Sequence, residues 1–204
     1  MSYLFVDTSD HLVLGLLDEN FEWINFTETA DKKSSASIHS KIYLLLEEHN
    51  LKIKDIKAMF QVAGPGSYTG MRISEGISQV LEWQKIPIYS FYHFVIPSIL
   101  GEEKGAWISR AFKSEIFVYE WRDGKVSTSL RPESDLVKIQ NELSSELGGF
   151  WTHFPESFPE IPKSTGLLIK ENSKKLFTNV VASQMREKPF YYRSLENEFT
   201  VSSK

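Results

Sequence analysis

Three short apolar runs open the chain, at residues 3–6, 12–17 and 21–26. Polar residues typical of tight turns separate them, and connections this short join antiparallel neighbours. The pattern therefore predicts a three-stranded antiparallel meander at the start of the chain.

Two amphipathic helices follow, over residues 34–50 and 70–84. In each, four apolar residues recur at i, i+4, i+7 and i+8, the spacing of one buried helical stripe. Ser34, Ser35 and Ser37 precede the first stripe and offer caps for its helix. The two stripes, which we expect to cover a sheet, are Ile38, Ile42, Leu45 and Leu46, then Ile73, Ile77, Val80 and Leu81.

Two further strands, at residues 58–63 and 88–91, flank the second helix, and a glycine-rich turn at residues 64–70 leads into it. The order β-β-β-α-β-α-β is typical of the ribonuclease H-like half of actin-like proteins, in which the helix-linked strands are parallel. We therefore predict an α/β protein with an actin-like (ASKHA) fold of two ribonuclease H-like lobes, the second reduced or divergent.

The second half of the chain repeats this order less clearly, without any repeat of individual residues. Its predicted strands lie at residues 106–109, 116–121, 126–130 and 150–152, with a hairpin turn at 122–125 and a loop at 155–162. One predicted helix begins at Pro132, ends at Gly148 and Gly149, and carries the apolar residues Leu136, Ile139, Leu143 and Leu147. A second predicted helix carries Leu176, Phe177, Val180 and Val181. A boundary near residues 101–105 would separate an N-terminal lobe, 1–100, from a divergent C-terminal lobe, 101–204.

Composition narrows the function classes. The chain has 204 residues, a net charge of −4 and no cysteine. Autonomous RNA-binding domains are usually basic, so the charge disfavours that activity but leaves RNA binding by a larger assembly open. The missing cysteines exclude disulfides, thiolate zinc sites and cysteine nucleophiles. The N-terminus lacks the pattern of a secretion signal, and the apolar runs are too short to cross a bilayer, so we expect a cytoplasmic protein without membrane contact.

The strongest candidate for chemistry is the segment from residue 64 to residue 74, which follows a strand and opens a helix. Backbone amides at such a place can hold an anion. Three known motifs fail there: Thr69 and Gly70 stand where a P-loop needs glycine and lysine, the third glycine of a dinucleotide fingerprint comes one residue late, and Pro65 replaces the upstream glycine of a nucleophile elbow. A purely structural turn, in which the glycines supply unusual backbone angles, is the alternative.

The first strand ends at Asp7, Thr8 and Ser9, where actin-like phosphotransferases carry an Asp-x-Gly-Thr/Ser turn that handles phosphate and metal. The glycine is absent here, so a degenerate phosphate turn and an Asx-type turn without a ligand are both open. The candidate nucleotide or phosphate residues are Asp7, Thr8, Ser9, Gly64, Pro65, Gly66, Ser67, Tyr68, Thr69, Gly70 and Arg72. The five histidines form no i, i+4 pair and no metal-ligand cluster, so we interpret them as surface or partly buried side chains.

Residues beside the two helical stripes suggest a surface for a partner. Tyr43 and Leu44 lie outside the first stripe, and apolar residues away from the core face mark such surfaces. Gly70, Ser74 and Ser78 follow one side of the second helix, where small residues permit the close approach of another helix or of a sheet. Ordinary core packing is the alternative explanation of this small-residue side.

Several of these segments resemble the TsaB (YeaZ) family. Residues 64–74 are similar to the family hallmark, in which phenylalanine often replaces Tyr68. Residues 4–9 resemble its opening strand and turn, and His39 falls in its first helix. Residues 189–193 resemble its C-terminal Pro-x-Tyr-x-Arg signature. The likeness is specific over about residues 1–100 and thin beyond them.

The resemblance implies a scaffold subunit without catalysis of its own. Such a subunit supports a TsaD-like catalytic subunit, together with a TsaE-like ATPase, in transferring threonylcarbamoyl to adenosine of tRNA. The resemblance also implies a homodimer when the chain is alone, tRNA contact only through the complex, no cofactor of its own, and ATP or ADP only at the interface of the assembled complex. The contact would use the first two helices, with His39, Tyr43, Leu44, Met71, Ser74, Glu75 and Ser78 as candidate interface residues.

Two other function classes stay open at this point. One is an autonomous actin-like phosphotransferase or nucleotide hydrolase, which the turn at Asp7 and the glycine segment motivate. The other is a self-associating homodimer with a separate role, such as a peptidase-like regulator. ATP turnover by the purified chain would identify the first, and mass measurement with and without a TsaD-like protein would identify the second.

Overall fold

A computed structural model describes residues 2–29, 37–112, 114–144, 149–158, 161 and 163–192 of the chain. The predicted caps Ser34 and Ser35, the stripe residue Leu147 and the helix stop Gly148 lie outside these described residues. So does Arg193, the last residue of the C-terminal signature.

The first sheet confirms the predicted meander and crossovers. Its spatial order is β3-β2-β1-β4-β5, with β1 antiparallel to β2, β2 antiparallel to β3, and β1, β4 and β5 mutually parallel. Its strands are β1 (Ser2–Asp7), β2 (Val13–Leu17), β3 (Trp23–Glu28), β4 (Ile56–Val62) and β5 (Ile88–Phe91). Because β1 and β4 are central and buried on both faces, their sequences are almost continuously apolar.

The second sheet has the same topology, in the order β8-β7-β6-β9-β10. Its strands are β6 (Lys104–Arg110), β7 (Glu115–Arg122), β8 (Lys125–Pro132), β9 (Phe150–Thr152) and β10 (Lys163–Ser164). The hairpin between β7 and β8 turns at Asp123 and Gly124, whose φ angles of 51° and 74° are those of a type I′ turn. The predicted two-lobed actin-like fold is therefore confirmed, with short fourth and fifth strands in the second lobe.

Six α-helices lie within the described residues, and four of them were predicted: α1 (Ile38–Glu48), α2 (Tyr68–Trp83), α4 (Leu136–Ser144) and α6 (Ser173–Ala182). The short α3 (Ile96–Ile99) and α5 (Thr165–Glu171) were not. Helix α2 begins two residues before its predicted start, because the Ser67 hydroxyl caps it by accepting a hydrogen bond from the Gly70 amide at 3.2 Å. Within the described residues, none of the helices is long and apolar enough to cross a membrane.

Separate hydrophobic cores cover the two faces of the first sheet. Helices α1 and α2 pack on one face, where Ile42, Leu46 and Leu81 join the buried side of β1 and β2. Helix α6 comes from the second half of the chain but packs on the other face, where Phe177 contacts the rings of Phe5 and Phe60 at centroid distances of 5.8 and 4.4 Å. The chain therefore returns to its first lobe after completing the second.

Candidate functional site

A cleft of about 700 Å³ lies where the ends of β1 and β2 face the chain after β9 and the start of α5. Its apolar wall comes from alternate residues of neighbouring strands, Phe5, Val13 and Phe26. Its polar lining includes Asp7, Ser9, His93 and His153. The cleft is thus formed by residues from both sheets and from the connection between them.

Asp7 is held at the floor of the cleft by its own turn and by the inter-lobe connection. Its Oδ1 accepts a hydrogen bond from the Ser9 amide at 2.8 Å, which is an Asx-type turn. His93 Nε2 lies 3.2 Å from Asp7 Oδ2, although it is not aligned as a hydrogen-bond donor. Burial by itself disfavours the charge, but the His93 ring and the Ser9 hydrogen bonds outweigh it, so the pKa of Asp7 lies below its ordinary value.

The other nitrogen of His93 reaches the second lobe. His93 Nδ1 lies 3.1 Å from the hydroxyl of Thr165, the first residue of α5. Hydroxyl, imidazole and carboxylate therefore form one line from Thr165 through His93 to Asp7, an order that hydrolases use to activate a nucleophile. Thr165 is fully buried and does not line the cleft, so this hydroxyl has no access to a substrate in the cleft. The line joins the lobes structurally.

His153 stacks against His93, with ring centroids 4.6 Å apart and planes 16° from parallel. It is also stacked on Trp107 at 5.2 Å, and neither of its ring nitrogens has a hydrogen-bond partner. Burial first, and then the neighbouring His93 and His11, keep the pKa of His153 well below its ordinary value. His153 is therefore a neutral imidazole. The interpretation of His93 and His153 as surface or partly buried side chains was wrong, because both are buried.

The glycine segment packs against the first turn rather than lining the cleft. The Ser67 amide donates to the Ser9 carbonyl at 2.5 Å. A Cβ atom added to Gly66 would lie 2.2 Å from the Ser9 carbonyl oxygen, and one added to Gly70 would lie 2.3 Å from that of Thr8. These glycines permit close approach of two backbone segments. The unusual backbone angle belongs to Gly64, with φ of +98°, and not to Gly66.

Of the eleven candidates for a nucleotide or phosphate turn, the structure places Asp7 and Ser9 in the cleft lining. Thr8 is buried, and its hydroxyl lies 3.2 Å from that of Ser74. The Arg72 guanidinium lies over the Tyr68 ring at 4.2 Å. The structure thus brings Asp7 and Ser9 together with His93 and His153, and it keeps the glycine segment behind them.

The small-residue side of α2 faces the core of its own lobe. Ser74 and Ser78 are buried, and both contact Gln61 of β4, Ser74 accepting from the amide nitrogen and Ser78 donating to the amide oxygen. Met71 is buried as well. The prediction that Met71, Ser74 and Ser78 lie at a partner surface was wrong, because all three are buried and the two serines satisfy the buried Gln61 of their own lobe.

No family model matches the chain. It is 26% identical over 153 residues to the tRNA threonylcarbamoyladenosine biosynthesis protein TsaB of Bacillus subtilis, covering 72% of this chain and 67% of that protein. It is 23% identical over 166 residues to the protein of the same name from Escherichia coli, covering 71% and 68%. Both relatives support the resemblance of this chain to the TsaB (YeaZ) family.

Two solved structures show the same fold. YeaZ from Pseudomonas aeruginosa aligns with a TM-score of 0.56 at 17% identity, over 90% of this chain and 92% of that one. An uncharacterized protein described as similar to peptidase YEAZ from Pseudomonas aeruginosa aligns with a TM-score of 0.62 at 16% identity, over 94% and 99%. At these identities the likeness concerns the fold alone.

The outer face of the first two helices carries large apolar side chains. Tyr43 and Leu44 on α1 are 63% and 51% exposed, and Val80 and Trp83 on α2 are 51% and 85% exposed. The exposure predicted for Tyr43 and Leu44 is confirmed, whereas Val80 was wrongly placed in the buried stripe. We name Tyr43, Leu44, Val80 and Trp83 the outer apolar face.

The remaining candidate interface residues differ in their availability. His39 on α1 is exposed. Glu75 on α2 is engaged within the chain, because its Oε1 lies 2.9 Å from Arg186 Nη2. Arg186 also contacts Glu82 at 2.8 Å and so ties the C-terminal segment to α2.

The C-terminal segment that resembles the family signature crosses both lobes. The Phe190 amide donates to the Ala63 carbonyl at 2.9 Å, just before the glycine segment. Its ring lies 5.4 Å from that of Phe117 in the second sheet. The Tyr192 hydroxyl lies 2.7 Å from that of Ser109. The signature therefore positions the lobes relative to each other.

Proposed function

We propose that this chain is a non-catalytic subunit in the biosynthesis of threonylcarbamoyladenosine in tRNA, as the names of its TsaB relatives indicate. It would bind and support a TsaD-like catalytic subunit, with a TsaE-like ATPase, while that subunit transfers threonylcarbamoyl to adenosine. Contact with tRNA would come through the assembled complex, in the cytoplasm.

The outer apolar face is the observation that carries this proposal. Helices α1 and α2 share one core beneath them, so their outer faces lie on the same side of the first lobe. Burying a large apolar side chain stabilises an interface by up to about 1.5–3 kcal/mol. Four such side chains on neighbouring helices suit a helical partner surface, most simply a bundle with crossing angles of about +20°. In the absence of the catalytic subunit, two copies of the chain would pair through the same face.

The interior of the cleft supports a role without autonomous catalysis. The hydroxyl beside His93 is buried at the start of α5, and the glycine segment is occupied by contacts with Thr8 and Ser9. Neither is placed to handle a substrate in the cleft. ATP or ADP would then be bound where this subunit meets its partner.

An autonomous phosphotransferase or hydrolase is the alternative, and the position of Asp7 in the cleft favours it. In that case the purified chain would turn over ATP, and Asp7→Asn would abolish the turnover. We expect no turnover by the chain alone.

The decisive experiment measures binding to a purified TsaD-like protein by titration calorimetry. We expect Leu44→Asp and Trp83→Glu to weaken binding at least about tenfold, because each would bury a carboxylate without a partner. The matched control is Val137→Asp on α4 of the second lobe, a residue that is 64% exposed. It should bind like the unmodified chain. Two folded variants that retain full affinity would place the interface elsewhere.

A further inference from the structure

Gly76 lies in the middle of α2, although glycine is among the residues that stabilise a helix interior least. It is exposed, and a Cβ atom added to it would meet no described atom within 4 Å. The positive φ angles of the described glycines belong to Gly64, Gly101 and Gly124, so no left-handed backbone angle calls for glycine at this position. Neither the packing nor the backbone of the first lobe therefore accounts for Gly76.

Gly76 forms one corner of a depression on the outer side of α2. The other corners are Gln79, Val80 and Trp83, at i+3, i+4 and i+7, and all four residues are exposed. Residues at this spacing are neighbours on a helix surface, and four of them form the hole that receives a side chain of a facing helix. Because Gly76 has no side chain, this hole is open down to the helix backbone. We name these four residues the α2 depression.

The charged side chains around the α2 depression are directed at partners within the chain. Glu75 and Glu82 contact Arg186 at 2.9 and 2.8 Å, and Gln79 Nε2 donates to Glu75 Oε1 at 3.4 Å. The Arg72 guanidinium, one turn before the depression, lies 4.2 Å from the centre of an aromatic ring. The depression itself contains no ionisable side chain, so it suits an apolar side chain better than a charged one.

We propose that a large apolar side chain on a helix of the catalytic subunit inserts into the α2 depression and contacts the backbone of Gly76. This inference rests on the proposed function, because it specifies where the partner of the outer apolar face would come closest to α2. Any side chain at residue 76 would fill the hole and hold the two helices apart, since the distance between packed helices depends on the side chains at their contact. Gly76 would thus select a partner with a long apolar side chain at this point.

Titration calorimetry with a purified TsaD-like protein tests this role of Gly76. We expect Gly76→Leu to weaken binding at least about tenfold and Gly76→Ala to weaken it about threefold, because the added atoms occupy the hole. Urea unfolding should show that Gly76→Ala is at least as stable as the unmodified chain, because alanine favours a helix over glycine. A variant that is more stable but binds more weakly would separate recognition from folding.

Thr178→Leu is the matched control. It adds leucine to an exposed position of α6, which packs on the opposite face of the same sheet, and it should bind as tightly as the unmodified chain. If Leu44→Asp and Trp83→Glu weaken binding but Gly76→Leu does not, the proposed function stands and the insertion at Gly76 is refuted. Tighter binding by Gly76→Ala would also overturn the insertion. Unchanged binding by all of these variants would refute the proposed interface as well.

Discussion

The two lobes have the same strand order but differ in the loop that follows the fourth strand. After β4 the chain continues as Gly64, Pro65 and Gly66, and the missing side chains let it pack on the backbone of Ser9. After β9 it continues as His153 and Phe154, whose rings line the cleft. One topology thus supports a loop closed by glycine in the first lobe and a loop filled with aromatic side chains in the second.

The helices that cover the two sheets also differ in length. The first lobe has α1 and α2, of 11 and 16 residues, which together cover one face of its sheet and carry the outer apolar face. In the second lobe the counterpart of α1 is α4, of 9 residues, and between β9 and β10, where α2 would stand, the described residues form only a three-residue 3-10 turn, Pro155–Ser157. The first lobe thus has a glycine turn packed on its own backbone and an exposed apolar surface on its helices. The second lobe instead contributes side chains that complete the cleft.

The largest effect on stability should come from placing a charge on the buried side of α2. Met71 is buried against Gly64, so Met71→Glu places a carboxylate in the core and should lower the free energy of unfolding by about 4 kcal/mol or more. Trp83→Glu on the outer side should change it by less than about 0.5 kcal/mol. Urea unfolding measures both. Similar values for the two variants would contradict the orientation of this helix.

The closed loop of the first lobe gives the next largest effect. A Cβ atom on Gly66 would lie 2.2 Å from a backbone oxygen and 2.6 Å from the Ser9 Cα, so neither neighbour can move aside cheaply. We expect Gly66→Ala to cost about 3 kcal/mol of unfolding free energy.

Gly76 is the matched control for Gly66. It is exposed on α2, and a Cβ atom added there would meet nothing within 4 Å. Gly76→Ala should therefore stabilise the chain by up to about 1 kcal/mol through helix propensity. If Gly66→Ala were equally harmless, the close approach of the two backbone segments would be wrong.

The meander, the crossovers and the repeated topology could be predicted because the periodicity that encodes them is local. The buried face of α2 could not, because its partners Gln61 and Thr8 lie 13 and 66 residues from Ser74. Only part of the cleft could be predicted from the sequence, for the same reason. Asp7 ends a strand with a recognisable turn, whereas His93, His153 and Thr165 carry no local motif and meet only through the sheet topology.

The loop of the second lobe should make stability depend on pH. The pKa of His153 is well below its ordinary value, so the unfolded chain takes up a proton near pH 6.5 that the folded chain does not. Stability is therefore complete above about pH 6.5 and falls below it, by up to about 1.4 kcal/mol per pH unit. His153→Phe should remove this part of the slope.

Phe154→Leu is the control for that measurement, because the Phe154 ring lies 3.7 Å from that of His153 but does not titrate. It should lower the unfolding free energy at every pH and leave the slope between about pH 5 and 6.5 unchanged. A slope that survives His153→Phe would assign the titration to another group.

The smallest effect concerns the segment that joins the two lobes. Burial raises the pKa of Tyr192, and its hydroxyl lies 2.7 Å from that of Ser109. Tyr192→Phe keeps the ring on Phe117, at 5.3 Å, and removes only this hydrogen bond. It should cost about 1 kcal/mol of unfolding free energy. Tyr191→Phe alters the adjacent ring, which is half-buried against Tyr68 of the first lobe, and should cost less than about 0.5 kcal/mol. Equal costs would mean that the Tyr192 hydroxyl does not tie the C-terminal segment to the second sheet, and that the aromatic rings of this segment hold it there.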